Sequence, residues 1–465
     1  MKPSKMRDNL IEHADRARLS RILVALKDDA ALPEPLDDFL LKEIPDAPLR
    51  AFLEHHGFAS LLKKLDGPNA RPDGQAMALI RSEAKAAPME AAPEPVAQTF
   101  DREAYECVQT EAQLDAWIAE ARAAGMFAVD TETDALDSMS AGLVGVSLAT
   151  APNRACYIPL AHGGTDLFSD APAQVPLATA IAKLKPLLED PSVLKIGHNI
   201  KYDLNVLERY GITIAPLDDT MVMSFDLDAG KRNHGMDELA LTHFGHTCIA
   251  FKDVCGTGKS QLTFNQVGLK EATCYAAEDA DVTLRLWHWL RPRLSAEKAT
   301  RVYERVDRPL VPVLAQMERE GIKVDRDELA RMSAEFAEGC AGFEAEIHEL
   351  AGQNFAVGSP KQLGEILFGK MGLKGGKKGK SGDYSTDVTV LEKLAEEGVD
   401  IARKVLDWRQ LSKLKSTYTD ALQQQINPKT GRVHTSYSLT GAQTGRLSSN
   451  DPNLQNIPIR TEAGR

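Results

Sequence analysis

The sequence contains no Cys-x-x-Cys pair: its six cysteines, Cys107, Cys156, Cys248, Cys255, Cys274 and Cys340, are scattered along 465 residues. That excludes zinc-ribbon and thioredoxin-like arrangements and reads as free thiols in a reducing, cytoplasmic compartment. No apolar run comes near the roughly 18 residues that a membrane span needs. The N-terminal stretch MKPSKMRDNLIEHADRARL lacks the apolar centre of a signal peptide. An excess of positive charge is missing too. The net charge is −12, which excludes a simple basic coat for nucleic acid. Internal repeats are absent. What is present is 43% hydrophobic residues, enough for ordinary globular cores, in a length that suits about two to four domains.

The pattern changes along the chain. Residues 1–65 read as short helices, with Leu19, Ile22, Leu23 and Leu26 and then Leu49, Phe52, Leu53, Leu61 and Leu62 at helical spacing. Residues 66–99 are rich in Ala and Pro and read as a flexible linker. From 100 to about 290 the pattern is α/β: Phe127–Asp130, Leu143–Leu148, Cys156–Leu160 and Val193–Ile196 read as strands and 177–189 as a helix. From 300 to 425 it is almost all helical. There Leu329, Met332, Phe336, Cys340, Phe343, Ile347 and Leu350 form one apolar stripe, suited to a helical hairpin or arm. Residues 427–465 return to turn chemistry.

Chemistry concentrates in three segments. Asp130-Thr-Glu132 ends an apolar strand, where residues two apart share a face and two carboxylates converge. Like charges that close repel unless a cation lies between them, and an all-oxygen cluster suits Mg²⁺ or Mn²⁺. Ile196-Gly-His-Asn-Ile-Lys-Tyr-Asp203 is a strand followed by a polar turn that delivers Asp203. Tyr275 and Asp279, four apart, share a helix face, and a phenol there can orient or deprotonate a water. Each piece alone is ordinary: a solvated loop, a helix cap, a tyrosine beside an acid.

Together, FAVDTETDALD, IGHNIKYD and YAAEDADVT resemble the three motifs of the DEDD exonucleases, in the tyrosine-bearing subclass. They resemble in particular the proofreading domain of the family-A DNA polymerases of the bacterial DNA polymerase I type. The resemblance runs along nearly the whole chain. Residues 1–65 resemble the end of a 5′-nuclease domain. Residues 100–295 resemble a ribonuclease-H-like exonuclease domain with a mixed sheet. Residues 296–465 resemble a mostly α-helical thumb and the start of the palm, through Lys413-Leu-Lys-Ser-Thr-Tyr-Thr-Asp420, Thr444-Gly-Arg-Leu-Ser-Ser449 and Asp451-Pro-Asn-Leu-Gln-Asn-Ile-Pro458. It implies 3′→5′ hydrolysis of DNA ends to nucleoside 5′-monophosphates by two metal ions roughly 4 Å apart. Asp130, Glu132 and Asp279 would hold the tighter ion and Asp130 with Asp203 the second, with Tyr275 positioning the attacking water. Asp203 is expected at the surface, so that Asp203→Ala abolishes digestion and spares the fold.

The resemblance also implies DNA contacts. Leu136 and Phe264 match positions that wedge or stack against terminal bases, though on the residues alone each reads equally as a core side chain. Asn199 matches a polar contact to the strand; its neighbour His198 departs from the family's usual glutamine. Lys377, Lys378 and Lys380 lie in a lysine loop between thumb-like helices, readable as a solvated turn or as a contact to duplex phosphates. Lys415 and Arg446 match duplex contacts, Arg446 in the minor groove near the primer end. A monomer is expected, with no membrane partner. The synthetic carboxylates of such polymerases would fall beyond Arg465, so the chain reads as a fragment of a longer protein. A ribonuclease D-type enzyme and a silent DNA-binding module are the alternatives. Gly256-Thr-Gly-Lys-Ser260 and Gly379-Lys-Ser381 are not phosphate loops, since Asp253 and Lys374 stand where the motif needs glycine. His243-x-x-His246 has no third ligand following it, and Asp281 would point about 200° away from Asp279 on a helix.

Overall fold

The structure, a computed structural model, describes residues 13–15, 18, 46–55, 58, 61–62, 65, 99–163, 171–231, 233–376, 378 and 382–458. The chain divides into two compact units, Met1–Met89 and Glu90–Arg465. In the first, helix α1 (Asp46–His55) buries Leu53 and exposes Phe52, whose ring lies 6.4 Å from that of Phe58. Leu19, Ile22, Leu23, Leu26 and almost all of the expected linker lie outside the described residues.

In the second unit, Thr110 and Gln113 form a reciprocal capping box that starts α2 (Glu111–Ala124), and Gly125, at φ 71°, ends it in the left-handed region. The chain then enters a six-stranded mixed sheet of order β1-β4-β3-β2-β5-β6. The strands are β1 (Glu106–Cys107), β2 (Met126–Thr133), β3 (Leu143–Ala151), β4 (Arg154–Pro159), β5 (Leu194–Gly197) and β6 (Leu217–Asp219). β3 runs antiparallel to β2 and β4; the other neighbours are parallel. The edge strands β1 and β6 have two and three residues, too few to show the alternation by which a sequence announces a strand.

Alternation along β2 decides what each face does. Phe127 and Val129 point into the main core, with Trp117 of α2, Leu184 of α3 (Leu177–Leu188) and Leu207 of α4 (Lys201–Glu208). Ala128 points to the opposite face. After α5 (Thr220–Asp228) and α6 (Met236–Phe244), the long helix α7 (Leu269–Ala296) crosses that face. The seam there is built of Ala128, Ala149 and Ala155 on the strands and Ala277 and Ala280 on the helix, all buried. Side chains this short let the helix axis lie close to the sheet.

The core does not stop at the expected boundary of 295. Tyr303, Val311 and Ala315 belong to the same apolar cluster as Phe127 and Val129, and the last two lie on α8 (Arg308–Glu320). The Tyr303 hydroxyl donates to buried Asp218 of β6 at 2.9 Å, and the Trp287 indole N–H donates to the same carboxylate at 2.7 Å.

Beyond lies a helical region with its own core, Ile347, Leu363, Leu391, Ile401 and Val405 among its members. It is framed by α9 (Arg326–Ala351), α10 (Val388–Glu396) and α11 (Asp400–Lys413). α9 packs along α11, and at Gly339 a Cβ would stand 2.6 Å from Leu411. Of the apolar stripe on α9, Ile347 is fully buried, Leu350 is 43% exposed and the rest are half-buried, because one neighbouring helix covers a stripe only partly. Turns dominate residues 427–458, broken by two ladders: β7 (Ile322–Lys323) with β8 (Arg432–Val433), and β9 (Ser436–Ser438) with β10 (Ser448–Asn450). Among the described residues, no helix is long and apolar enough to cross a membrane.

Candidate functional site

Asp130 and Glu132 follow Ala128 on the β2 face that α7 covers, and one helical turn of α7 beyond Tyr275 places Asp279 against them. Oxygen atoms of Asp130, Glu132 and Asp279 lie within 4.8 Å of one another. Glu132 is paired across the ladder with Gly145. A Cβ there would meet the Tyr157 hydroxyl at 2.2 Å and its ring at 2.3 Å, so the missing side chain makes room for that tyrosine.

Asp203 comes from the other side. It sits in the first turn of α4 and its Oδ1 accepts from the Thr131 N–H at 3.0 Å and the Thr131 hydroxyl at 2.5 Å. Thr131 alternates to the face opposite Asp130 and Glu132, which is why Asp203 stands outside the tight trio. Asp203 is also 2% exposed, not a surface residue. The expectation that its side chain supports little packing is corrected: it anchors β2 to α4.

Burial and mutual repulsion dominate the electrostatics. Asp130 is pushed up to about 7, by burial first. Glu132, Asp203 and Asp279 are held well above the usual carboxylate range, again by burial first and then, in each case, by the charge of Asp130. Glu132 Oε1 is buried without a hydrogen-bond partner. Repelling carboxylates with an orphaned oxygen on one of them form a donor set that fits a hard divalent cation.

A second cluster, His246, Cys248 and Glu278, has ligand-like spacing but a different character. Glu278 accepts from His246 Nε2, Arg102 Nε and the Ile249 N–H, each at 2.7 Å. Its oxygens are satisfied and its charge is answered by an arginine, as in a structural network. Asp281 faces away from the trio and pairs with Arg285 at 2.8 Å.

Tyr275 faces the carboxylates, and burial followed by the charge of Asp279 pushes its phenol far above the ordinary range. Its ring lies 5.7 Å from Phe264 and 6.2 Å from Phe251. Phe264 is 1% exposed, edge-on to Tyr157 and His162. Surrounded by rings on several sides, it leaves little of its own face open to a base and forms a wall behind the site. Phe251, 42% exposed and stacked on Phe264 at an interplanar angle of 19°, is the ring that faces solvent. Sequence reasoning missed it; an aromatic in the polar segment before Lys252 and Asp253 was the available signal. Leu136 is 96% exposed, a degree of exposure that packing does not explain. Asn199 is exposed at the β5–α4 turn with φ 59°, and its N–H donates to Asp219 at 3.1 Å. His198 is turned inward: its Nδ1 bonds Thr220 at 2.8 Å, and burial pulls it down to about 4.

The remaining candidates are dispersed. Lys377 and Lys380 lie outside the described residues. Lys378 is exposed, its ammonium 4.7 Å over the Tyr384 ring. Lys415 is tied to Asp420 at 2.7 Å, and Arg446 is exposed. An open groove of about 960 Å³ beside Tyr384 is lined by Ser359, Lys361, Ser385, Thr386, Trp408 and Arg409. The sequence reading contains none of these six, which come together from three separate stretches of the chain.

Residues 105–295 match the family model described as 3'-5' exonuclease, and residues 326–465 match that of DNA polymerase family A. DNA polymerase I of Rhizobium leguminosarum is 47% identical over all of this chain and 52% of its own length. DNA polymerase I of Pseudomonas aeruginosa is 43% identical over all of this chain and 48% of its own. The chain thus spans about half the length of these curated relatives. A solved structure of the POL domain of Pol1 from M. smegmatis, in complex with DNA primer-template and dNTP, aligns with a TM-score of 0.62 and 28% identity. That alignment covers 77% of this chain and 57% of the other. With its sheet, its carboxylates and its helical region all falling inside these matches, the chain belongs to the family-A DNA polymerases and carries their 3′-5′ exonuclease domain and the start of their polymerase domain.

Proposed function

We propose that the carboxylate cluster hydrolyses the last phosphodiester of a DNA 3′ end and releases nucleoside 5′-monophosphates one at a time. The observation that carries this is the convergence of Asp130, Glu132 and Asp279, with an orphaned Glu132 oxygen, next to Tyr275. Asp130, Glu132 and Asp279 would hold one divalent ion and Asp130 with Asp203 a second; bound Mg²⁺ or Mn²⁺ activates the attacking water and stabilises the leaving oxygen.

The chain's own residues do the rest. Tyr275 orients the water by a hydrogen bond. Leu136 wedges against the terminal bases and Phe251 offers a ring for stacking, which is blind to sequence because every base has a π-face. Asn199 adds a polar contact to the strand. Lys361 and Arg409 line the groove that would take the primer-template duplex, and Lys378 and Arg446 would add contacts of their own to its backbone and minor groove. In that reading the whole protein is a template-directed, monomeric, cytoplasmic polymerase that uses this site to edit primer ends in replication and repair.

The test is digestion of a 3′-labelled single-stranded oligonucleotide by the 465-residue chain, with and without Mg²⁺ or Mn²⁺. Metal-dependent release of mononucleotides is expected. No digestion, or preferential digestion of structured RNA, overturns the assignment.

A further inference from the structure

Resting on that reading, we infer that Glu318 is a positioning residue that ties Asp203, and with it the second-ion site, to the ribbon bearing Arg446. Lys201 and Asn205 are four residues apart on α4 and share one helix face, while Asp203 between them points about 200° away. The Asp203 face meets Thr131 of the catalytic strand. The opposite face meets one carboxylate, Glu318 of α8, which is 4% exposed.

Glu318 is engaged on every side. Lys201 pairs with its Oε1, and Asn205 Nδ2 donates to its Oε2 at 2.7 Å. The Tyr437 N–H donates to Oε1 at 2.6 Å, and Lys201 also reaches the Ser436 hydroxyl at 3.4 Å. Asn205, fully buried, is held at its other end by Arg319 at 2.9 Å. Ser436 and Tyr437 belong to β9, which pairs with β10, and Arg446 lies in the connection between them. A displacement of that ribbon is therefore passed through Glu318 to the back of α4, and through α4 to the carboxylate on its front. The tight trio of Asp130, Glu132 and Asp279 stands on β2 and α7 and meets this chain of contacts only at its far end, through the bonds of Asp203 to Thr131.

The test compares Mn²⁺ binding, followed by electron paramagnetic resonance of the free ion, in the 465-residue chain and two variants. Glu318→Gln keeps the shape and an acceptor for Tyr437. Lys201→Met combined with Glu318→Gln removes the stranded ammonium that makes the single variant prone to misfold. In both, the weaker class of Mn²⁺ sites loses about tenfold in affinity, the scale at which residues behind a ligand act, while the tighter class stays within about twofold. Digestion of a single-stranded oligonucleotide falls in kcat with KM unchanged. Cooperatively melting variants with wild-type affinity in both classes overturn the inference, as does equal weakening of both classes. A wild-type chain with two Mn²⁺ classes and no digestion overturns the nuclease reading alone, and one that binds no Mn²⁺ overturns both.

Discussion

Replacing Asp279 by asparagine removes one charge from the trio while keeping its shape, and it should make the metal-free protein more stable. At the 4.8 Å limit of the trio's spacing, two carboxylates repel by about 3.5 kcal/mol in an effective dielectric of about 20. Asp279 takes part in two such pairs. Proton uptake by the raised carboxylates relieves much of this, so the expected net gain is on the order of 2 kcal/mol, or about 2–3 °C in Tm for a unit the size of Glu90–Arg465. Divalent ions reverse the ranking. They stabilise the wild type by about 2.7 kcal/mol at a hundred times their Kd, and the variant by much less. Scanning calorimetry in EDTA and again in excess Mg²⁺ measures both. Digestion should fall by more than about a hundredfold. An Asp279→Asn variant that melts no higher than wild type in EDTA, or that gains as much from Mg²⁺, would refute the reasoning.

Phe251→Ala should raise KM for a single-stranded oligonucleotide by about 5- to 100-fold, the value of one stacked base, with little change in Tm; Phe264→Ala should instead cost about 3–5 kcal/mol of stability, read by urea unfolding. Asp226 is pushed up to about 8 by burial and then by the hydrogen bond and charge of Asp307. A carboxyl raised in this way contributes stability that is complete below the ordinary carboxylate range and is lost as pH rises through about 8, so Asp226→Asn should flatten the dependence of Tm on pH between 5 and 9. Lys361→Ala should weaken duplex binding for all sequences alike and reduce the slope of log K against log salt by about one, measured by fluorescence anisotropy.

Much of the site was legible because its geometry is local. Asp130 and Glu132 share a face by the period of a strand, and Tyr275 and Asp279 share one by the turn of a helix. What the sequence could not show is where those faces meet the third segment. Asp203 reads as the third carboxylate, yet its partner, Thr131, faces away from the other two because alternation puts residue 131 on the opposite side of β2. Phe264 and Phe251 were indistinguishable as letters, since burial follows from how the 250–266 segment folds back on Tyr157. The sheet's short edge strands and the groove around Lys361 and Arg409 likewise depend on pairings between distant segments, which no local period announces.

The apolar cluster shared between the strands and α8 has a practical consequence. Expressing residues 100–295 as a stand-alone nuclease would remove Tyr303, Val311 and Ala315 from the interior they fill and leave Asp218 without the Tyr303 hydroxyl. A cut at the turn around Gly321, where α8 ends, would retain those groups, although Glu318 would then lose Tyr437. The smallest autonomous module is set by the core rather than by the motif borders, and it includes a helix whose sequence carries no catalytic signal.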